Sequence, residues 1–406
     1  MTEQTLHTKT APKLKRKRLA LKRASLLVSA IAIFLLGLNI GNGRITIMSQ
    51  TGVQKDLPNR LDYSSVDEVY KALKANFDGK LDTNALNDGM KKGLVNAAGD
   101  PHTEYFNASD YKDFNNQLTG TFTGIGAELN LDSNNNVVVI APIAGAPADK
   151  AGLKAKDIIA EIDGKSTVGM SVSQAVDLIH GQSGTTVKLK IIRDGTPQDI
   201  SIVRAQISVP SVTTKVENGI GYLTISRFGD DTADLAQKAA QTFKDQHVTG
   251  IVLDMRGNPG GLLDAAVSVS SLWLPDGTTV LTERRDGIIT NTYKAQGSSP
   301  LHGIPTVALI DGGSASASEI TAGALKDNGA AVLIGEKSYG KGSVQQLVKL
   351  SGGAFLKVTV ARWYTPNGKN IDKAGITPDQ TVQLTATDSK NGQDPQMAAA
   401  LKQLGK

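Results

Sequence analysis

Apolar residues change their spacing along this 406-residue chain, and each change marks a predicted structural region. Over residues 66–98 they recur at helical intervals, and Asp100-Pro101 ends that pattern. A further helix is predicted over residues 108–118. Residues 43–63 are polar and irregular, which is typical of a tether. The pattern therefore predicts a tether and a small helical region in residues 43–118.

Residues 119–205 have a different pattern, in which glycines precede short runs rich in β-branched residues. One helix is predicted among these runs, over residues 171–179, with Ser171 as a favourable N-cap. Mostly short strands with a single helix indicate a small β-rich module. The predicted strands are residues 127–131, 137–140, 158–162 and 187–192.

In residues 206–385 predicted strands and helices alternate, which favours an α/β core. The last segment, residues 386–406, is polar and then weakly helical, and it is predicted to be a loose tail or a dimer contact. In the core, strands are predicted at residues 250–254, 306–310, 331–334 and 344–350, and helices at residues 262–272 and 318–326.

Positive charge is concentrated at the N-terminus. Residues 1–24 hold eight Lys or Arg and one acidic residue, so they carry +7 in a chain whose net charge is +5. The other 382 residues are therefore close to neutral, at −2. A nearly neutral body gives no reason to expect a nucleic-acid groove, so no nucleic-acid partner is predicted.

Residues 24–42 contain no charged side chain, and about 19 such residues can just cross a bilayer as a helix. Because basic flanks stay in the cytoplasm, the remainder of the chain is predicted to be extracytoplasmic. A cleaved signal peptide and a buried soluble helix are the alternatives. The long basic region and the lack of a clear cleavage pattern before Arg44 favour an uncleaved anchor. The sequence thus predicts a cytoplasmic basic tail (1–23) and a single-pass transmembrane anchor (24–42) in the cell membrane.

Two glycine-rich stretches, residues 254–261 and 311–316, each follow a predicted buried strand and precede a helix. Sites gather at such strand ends in open α/β sheets. Glycines let backbone N–H groups approach a ligand, and a helix N-terminus adds unpaired donors. A serine in the second turn is a candidate nucleophile whose tetrahedral oxyanion nearby N–H groups can hold. Tight helix packing through small residues is the alternative interpretation of this turn.

A serine nucleophile needs a neighbouring base, and Lys341 is the candidate. Lysine can act as a base only when burial lowers its pKa, and Lys341 lies between glycines beside an apolar strand. Gln345 lies four residues further on, on the same face of a strand or helix, where it can orient the lysine amine. A surface lysine beside a polar glutamine is the alternative.

Several other chemistries are excluded or disfavoured. The chain has no cysteine, so it has no thiol nucleophile, disulfide or thiolate metal site. Its five histidines are dispersed, and none lies in a glycine-rich turn of the predicted core, which disfavours both zinc and a Ser-His-Asp triad. Neither a dinucleotide-binding nor a P-loop pattern occurs. No cofactor and no metal is therefore predicted.

Seven motifs together carry a resemblance to a known family. The chain resembles the C-terminal processing peptidases, also called carboxyl-terminal or tail-specific proteases, over residues 64–385. One such motif is weak evidence, but several in order across three segments are highly specific. The motifs are residues 99–106, 120–127, 254–261, 313–319, 335–345, 364–368 and 375–379.

The resemblance implies a serine endopeptidase with a Ser–Lys dyad assisted by a glutamine. It implies Ser316 as the nucleophile, with Ser314 and Ser318 as alternatives. It further implies Lys341 as the general base and Gln345 as the residue that positions it. The oxyanion donors implied are the N–H of Ala317 and one N–H from Gly260 or Gly261.

The β-rich module (119–205) would be a PDZ domain, which takes an extended C-terminal tail as an added strand. Gly124, Ile125, Gly126 and Ala127 would form its carboxylate-binding loop and first strand edge. The implied partners are protein substrates with apolar C-terminal tails. His180 departs from the arginine that several relatives have, and at neutral pH it would sense a tail only weakly. Homodimerisation through the helical region or the last residues is a further implication.

The expected fold class is multidomain α/β, with a single N-terminal transmembrane helix, a helical N-terminal region, a β-rich PDZ domain and a crotonase-like α/β serine protease core (206–385). The expected function is a membrane-anchored serine endopeptidase that recognises the C-terminal tails of exported proteins. Two alternatives are a non-catalytic PDZ adaptor at the cell surface and an acyl-transfer enzyme acting on a small thioester.

Overall fold

The computed structural model describes residues 57–58 and 60–406, which belong to two compact units divided between Leu81 and Asp82. In the first unit, helix α1 spans Ser64–Asn76 and buries none of its side chains. The predicted basic tail and membrane segment (1–42) lie outside the described residues. No helix in the described part of the chain has the length and apolarity required to cross a membrane.

The second unit begins with the predicted helices. Helix α2 (Thr83–Asn96) and helix α3 (Ala108–Thr119) start at Asp82 and Asn107, whose side chains accept hydrogen bonds from the first-turn N–H groups. Between the helices lies a short strand, β1 (Glu104–Phe106). The helical character predicted for residues 66–98 and 108–118 is thus confirmed.

A β-rich module follows, and its first and last strands, β2 (Thr121–Gly124) and β9 (Ala205–Ser208), pair with each other. Five strands of a separate sheet lie in the order β3-β4-β5-β7-β8, so β3 is an edge strand. The four predicted strands and the predicted helix are confirmed, with small changes at their ends. The strands are β3 (Ala127–Leu131), β4 (Val137–Pro142), β5 (Ile158–Ile162), β6 (Lys165–Ser166), β7 (Thr186–Arg193) and β8 (Thr196–Val203).

Two helices complete the module, the short α4 (Pro147–Lys150) and α5 (Val172–Ile179). Helix α5 begins with a capping box in which Ser171 and Gln174 satisfy each other's backbone N–H groups. Its buried face, Ala175 and Ile179, packs on an aliphatic core with the strands. That packing leaves one side of α5 facing the edge strand β3 across a groove.

The larger α/β region contains a six-stranded sheet in the order β10-β11-β12-β15-β16-β19, parallel except for its first pair. Helices α6 (Thr232–Asp245), α7 (Leu263–Ser270) and α8 (Ala317–Asp327) bury their apolar faces in one cluster. The strands are β10 (Val212–Glu217), β11 (Ile220–Ile225), β12 (Gly250–Asp254), β15 (Thr306–Ile310), β16 (Val332–Gly335) and β19 (Gln380–Thr381).

A second sheet lies in the same region, in the order β1-β18-β13-β14, with β17 also paired to β18. The register of β1 and β18 places Glu104, which belongs to the early motif (residues 99–106), opposite Lys357 of β18. The motif at residues 99–106 is thereby joined to the far end of the chain. The strands are β13 (Thr279–Arg285), β14 (Ile288–Lys294), β17 (Ser343–Lys349) and β18 (Phe355–Tyr364).

The C-terminal segment 386–406 forms helices α9 (Ala386–Lys390) and α10 (Pro395–Gln403). Ala400 is fully buried in a cluster with residues of the parallel strands, so α10 packs on the sheet and is no loose tail. Its N-cap residue, Asp394, forms an ion pair with Arg256 at 2.9 Å, just beyond β12. The last helix is therefore tied to the beginning of the glycine-rich turn after β12.

Candidate active site

The two glycine-rich turns after β12 and β15 touch each other at Gly260. A Cβ atom on Gly260 would lie 2.6 Å from the carbonyl oxygen of Ala315 and 2.8 Å from Cβ of Ser316, so a side chain has no room there. Asp311 adds a polar link, because its Oδ1 accepts hydrogen bonds from the N–H groups of Gly257 (2.8 Å) and Gly313 (2.9 Å). The fold therefore brings the two glycine-rich turns together at one end of the parallel sheet.

Ser316 is the N-cap of helix α8 and has φ 53° and ψ −113°. This region is strained for a residue with a side chain, and such strain is found at active sites. The two alternative serines are fully buried and already hydrogen-bonded. Ser314 donates to the carbonyl of Met255 (2.8 Å), and Ser318 donates to the carbonyl of Asn258 (2.9 Å). Of the three serines, only Ser316 lines the cleft.

That cleft has a volume of about 350 Å³ and is also lined by Lys341 and Gln345. Burial is the main cause that lowers the pKa of Lys341, and the positive charge of Lys357 lowers it further. The carboxylates of Glu319 and Asp100 act in the opposite direction. A lysine with a lowered pKa has more of the free amine that a general base requires.

The predicted contacts of Lys341 are incomplete. No hydrogen bond joins Ser316 Oγ to Lys341 Nζ among the described residues, although both side chains line the cleft. The amide of Gln345 donates to Ser343 Oγ (2.7 Å) and Thr359 Oγ1 (3.4 Å) and makes no hydrogen bond to Lys341 in this part of the chain. Catalytic hydrogen bonds are often open in unliganded sites and close when substrate binds.

Glu319 was not among the predicted site residues, yet its fully buried carboxylate joins the serine turn to the lysine loop. One oxygen accepts from the N–H groups of Ser316 (2.8 Å) and Lys341 (2.9 Å). The other accepts from Ser338 Oγ (2.6 Å) and the N–H of Gly340 (2.8 Å). Four donors on one carboxylate fix the spacing between the two candidate catalytic residues. Its position three residues after Ser316, as in a capping box, was the available sequence signal.

We expect Glu319→Gln to impair both folding and turnover. A glutamine places its NH₂ group against two of the four donors, whichever way the amide is turned. Loss of these buried bonds should cost about 2–4 kcal/mol in unfolding free energy. Misalignment should lower kcat by about tenfold or more. Thermal unfolding and steady-state kinetics measure the two effects, with Glu217→Gln on an exposed strand as the control. Unchanged kcat and stability would show that these bonds do not align the site.

The predicted oxyanion donors lie beside Ser316. Ala317 is the first residue of α8, where a backbone N–H has no partner within the helix. Gly260 N–H already donates to Asn258 Oδ1 at 2.9 Å. Backbone bonds from Phe228 N to Gly260 O (2.9 Å) and from Leu262 N to Phe228 O (2.7 Å) hold the turn on both sides of Gly261. Of the two glycines, Gly261 is thus the one whose N–H is left for a ligand within the described structure.

His102 is the histidine that the fold brings nearest to this chemistry. Its pKa is lowered by burial first and by the charge of Lys341 second, so it lies within electrostatic reach of the lysine. Neither the cleft lining nor a hydrogen bond among the described residues connects it to Ser316. Across the described part of the chain, no group of three or more His, Cys, Asp or Glu residues could hold a metal ion.

The β-rich module has its own groove, of about 350 Å³, between the edge strand β3 and helix α5. Three of the four predicted tail-binding residues line it: Ile125, Gly126 and Ala127. Gly124 does not line the groove, but a Cβ atom on it would come within 3.2 Å of the ring of His180, which does. The groove is otherwise apolar, apart from His180, and its remaining lining residues are Phe122, Leu129, Val176, Ile179 and His180.

A serine in a strained turn and a partly buried lysine in the same cleft are the two groups that nucleophilic catalysis by serine requires. Comparison with known proteins agrees. Residues 219–382 match peptidase family S41, and residues 138–193 match the PDZ domain.

Curated relatives extend this match over most of the chain. The carboxy-terminal-processing protease of Bartonella bacilliformis is 42% identical over 323 residues, which cover 78% of this chain and 73% of the relative. The carboxy-terminal processing protease CtpA of Bacillus subtilis is 36% identical over 324 residues, covering 79% and 69%. This chain therefore belongs to the carboxy-terminal processing proteases of peptidase family S41 and is a serine-type peptidase.

A solved structure agrees at the level of the fold. The crystal structure of a putative S41 protease from Bacteroides fragilis matches with a TM-score of 0.55 and covers 85% of this chain and 98% of that chain. The sequence identity is 18%, so this likeness concerns the architecture. The expected multidomain α/β architecture, with a PDZ domain and a protease core, is confirmed.

Proposed function

We propose that this protein is a membrane-anchored serine endopeptidase that cleaves exported proteins by a Ser–Lys dyad after binding their C-terminal tails. The observation that carries the proposal is the shared cleft of Ser316 and Lys341. There, a strained helix N-terminus presents the serine, and burial lowers the pKa of the lysine. Family membership establishes the peptidase activity, while the roles of individual residues are argued from this geometry.

The proposed reaction begins when the free amine of Lys341 takes the proton of Ser316 Oγ as that oxygen attacks the scissile carbonyl carbon. The carbonyl oxygen becomes an oxyanion, which the N–H groups of Ala317 and Gly261 stabilise. Collapse breaks the C–N bond, and Lys341 returns the proton to the leaving amine. Lys341 then takes a proton from a water molecule, which attacks the acyl-enzyme. The proton passes to Ser316 Oγ as the acyl group leaves, and the serine is restored. Gln345 would turn from Ser343 toward Lys341 to orient the amine during this cycle.

Tail recognition is supported by the groove of the PDZ domain. Strand β3 has a free edge, and a peptide backbone can pair with such an edge as an added strand. The turn at Ile125 and Gly126 lies at one end of the groove, where N–H groups can hold a terminal carboxylate. The apolar lining from Leu129 and Val176 favours apolar side chains near the end of the tail.

The proposed location follows from the sequence. The uncharged residues 24–42 after a basic flank support a single-pass anchor in the cell membrane, with the catalytic part extracytoplasmic. Substrates would then be exported proteins. Homodimerisation stays a prediction.

The test measures cleavage of an unfolded model protein with either an apolar or an acidic C-terminal tail. We expect the full chain to prefer the apolar tail, and we expect Val176→Glu to lose that preference. The new charge would lie in the groove, and the cost of desolvating it opposes an apolar tail. Gln174→Glu is the matched control, because it adds the same charge on α5, keeps the capping box and lies outside the groove lining.

The outcomes separate the two halves of the proposal. Binding of tail peptide to each variant, measured by fluorescence anisotropy, should fall about tenfold or more for Val176→Glu alone. Equal cleavage of both tails by the unaltered enzyme would overturn tail recognition but leave the peptidase intact. Tail binding without any cleavage would favour the non-catalytic adaptor.

A further inference from the structure

We propose that Lys357 is a positioning residue of the catalytic cleft, which acts through its charge to favour the neutral amine of Lys341. The proposal rests on the Ser–Lys dyad and adds to it a second cation from a distant strand. Lys357 would not touch the substrate. It would influence the reaction by its field on the general base.

The geometry places Lys357 beside the dyad. Its side chain lines the same 350 Å³ cleft as Ser316, Lys341 and Gln345. On the paired strands β17 and β18, Gln345 lies opposite Thr359 and Leu347 lies opposite Lys357, so these residues project from one face of the sheet. Only 19% of the Lys357 side chain is exposed, so its charge is screened less than a surface lysine would be.

Contacts from the early motif hold Lys357 in this place. Its Nζ forms an ion pair with Glu104 at 2.8 Å, across the β1–β18 pair. The same ammonium lies 5.1 Å from the centre of the Phe106 ring and 5.4 Å from the centre of the Phe114 ring, which is the range of cation–π contacts. These contacts stabilise the charged form of Lys357 in the cleft wall. The proposed Ser–Lys reaction gives Lys357 no chemical role of its own.

Three charged side chains shift the pKa of Lys341, and they come from three different parts of the chain. Lys357 on β18 is the one whose charge lowers the pKa of Lys341, after burial itself. Glu319 on α8 and Asp100 before β1 raise it. His102 lies in the same loop as Asp100, and its own pKa is lowered by burial first and by the charge of Lys341 second, which favours the neutral ring. The like charge of Lys357 therefore opposes two carboxylates that would otherwise keep Lys341 protonated.

The test is the pH dependence of kcat/KM for Lys357→Met and Lys357→Arg in the full chain. Methionine keeps much of the side-chain volume without the charge, so Lys341 should hold its proton to higher pH. The rising limb should move to higher pH. At neutral pH kcat/KM should fall about three- to tenfold, because the free-amine fraction changes tenfold per unit of pKa. The plateau at high pH should stay unchanged, and arginine should restore the original profile.

Two further variants sharpen the test. Glu104→Gln removes the carboxylate that partly neutralises Lys357, so the limb should move to lower pH, opposite to Lys357→Met. Lys349→Met is the matched control, because Lys349 lies at the exposed end of β17 and does not line the cleft. It should leave the profile unchanged. Thermal unfolding of each variant shows whether the fold is retained.

Three outcomes would overturn the proposal. If the rising limb of the pH profile stayed in place in Lys357→Met, the charge of Lys357 would not affect the pKa of Lys341. An equal loss of kcat/KM in Lys357→Met and Lys357→Arg would indicate that Lys357 acts through its packing and not through its charge. A raised KM with an unmoved limb would indicate a substrate contact. Failure of the dyad itself is recognised separately, since Lys341→Met would then retain activity.

Discussion

Ser316→Ala should lower peptide cleavage by about 10³-fold or more while leaving the fold and tail binding intact. Alanine removes the oxygen that would form the acyl-enzyme, and no other serine of this turn lines the cleft. The backbone N–H of Ser316, which alanine keeps, donates to the Glu319 carboxylate at 2.8 Å, so this link between the serine turn and Glu319 is retained. Cleavage of a fluorogenic peptide measures the loss, and anisotropy with a tail peptide measures binding.

Ser314→Ala and Ser318→Ala are the matched controls for this prediction. Each removes a buried hydroxyl that donates to a main-chain carbonyl, at Met255 or Asn258. We expect each to cost about 1 kcal/mol in unfolding free energy and to retain cleavage. If either control abolished cleavage in a folded protein while Ser316→Ala remained active, the nucleophile would have been assigned wrongly.

Lys341→Met should cause a loss of similar size, about 10³-fold or more. Methionine fills the space but has no lone pair able to take the serine proton. Stability should be unchanged or slightly higher, because the variant no longer buries an amine that loses hydration. Cleavage by the unaltered enzyme should rise with pH as Lys341 loses its proton. Burial lowers the pKa of Lys341, so this limb should lie below the pH at which an ordinary lysine titrates.

Lys337→Met is the control for the lysine, because Lys337 lies on the same loop but is exposed and outside the cleft. It should leave both the rate and the pH profile unchanged. Substantial cleavage by folded Lys341→Met at any pH would contradict the dyad. A rising limb at the position of a free lysine would instead indicate that the base is more hydrated than this cleft implies.

Much of the fold could be predicted because buried strands and amphipathic helices leave a periodic pattern. Strand β15, with five buried residues in succession, was predicted with its observed ends. Strand β14 was missed, since all of its side chains except Tyr293 are exposed and so show no buried face. Helix α10 was treated as weak, because its helical face is short and its burial depends on the sheet beneath it.

The residues of the candidate site likewise divide into those that a local sequence motif reveals and those that only the fold reveals. Ser316 and Lys341 were recognisable because each lies in a local motif whose glycines and small residues show a constrained turn. The role of Glu319 depends on donors up to 22 positions away, and the ion pair of Lys357 joins residues 253 positions apart. Beyond the capping-box spacing of Ser316 and Glu319, no local pattern records these contacts. They exist only once the sheets have paired.

The backbone of Ser316 has a consequence for attempts to make this enzyme more robust. A side chain in that conformation typically costs about 1–3 kcal/mol, and glycine would avoid most of it. The folded enzyme therefore gives up stability at the residue proposed to carry out its chemistry. A selection that scores only resistance to heat would favour replacement of this serine, and it would enrich inert proteins. Screens for hardier variants should accordingly couple survival to cleavage.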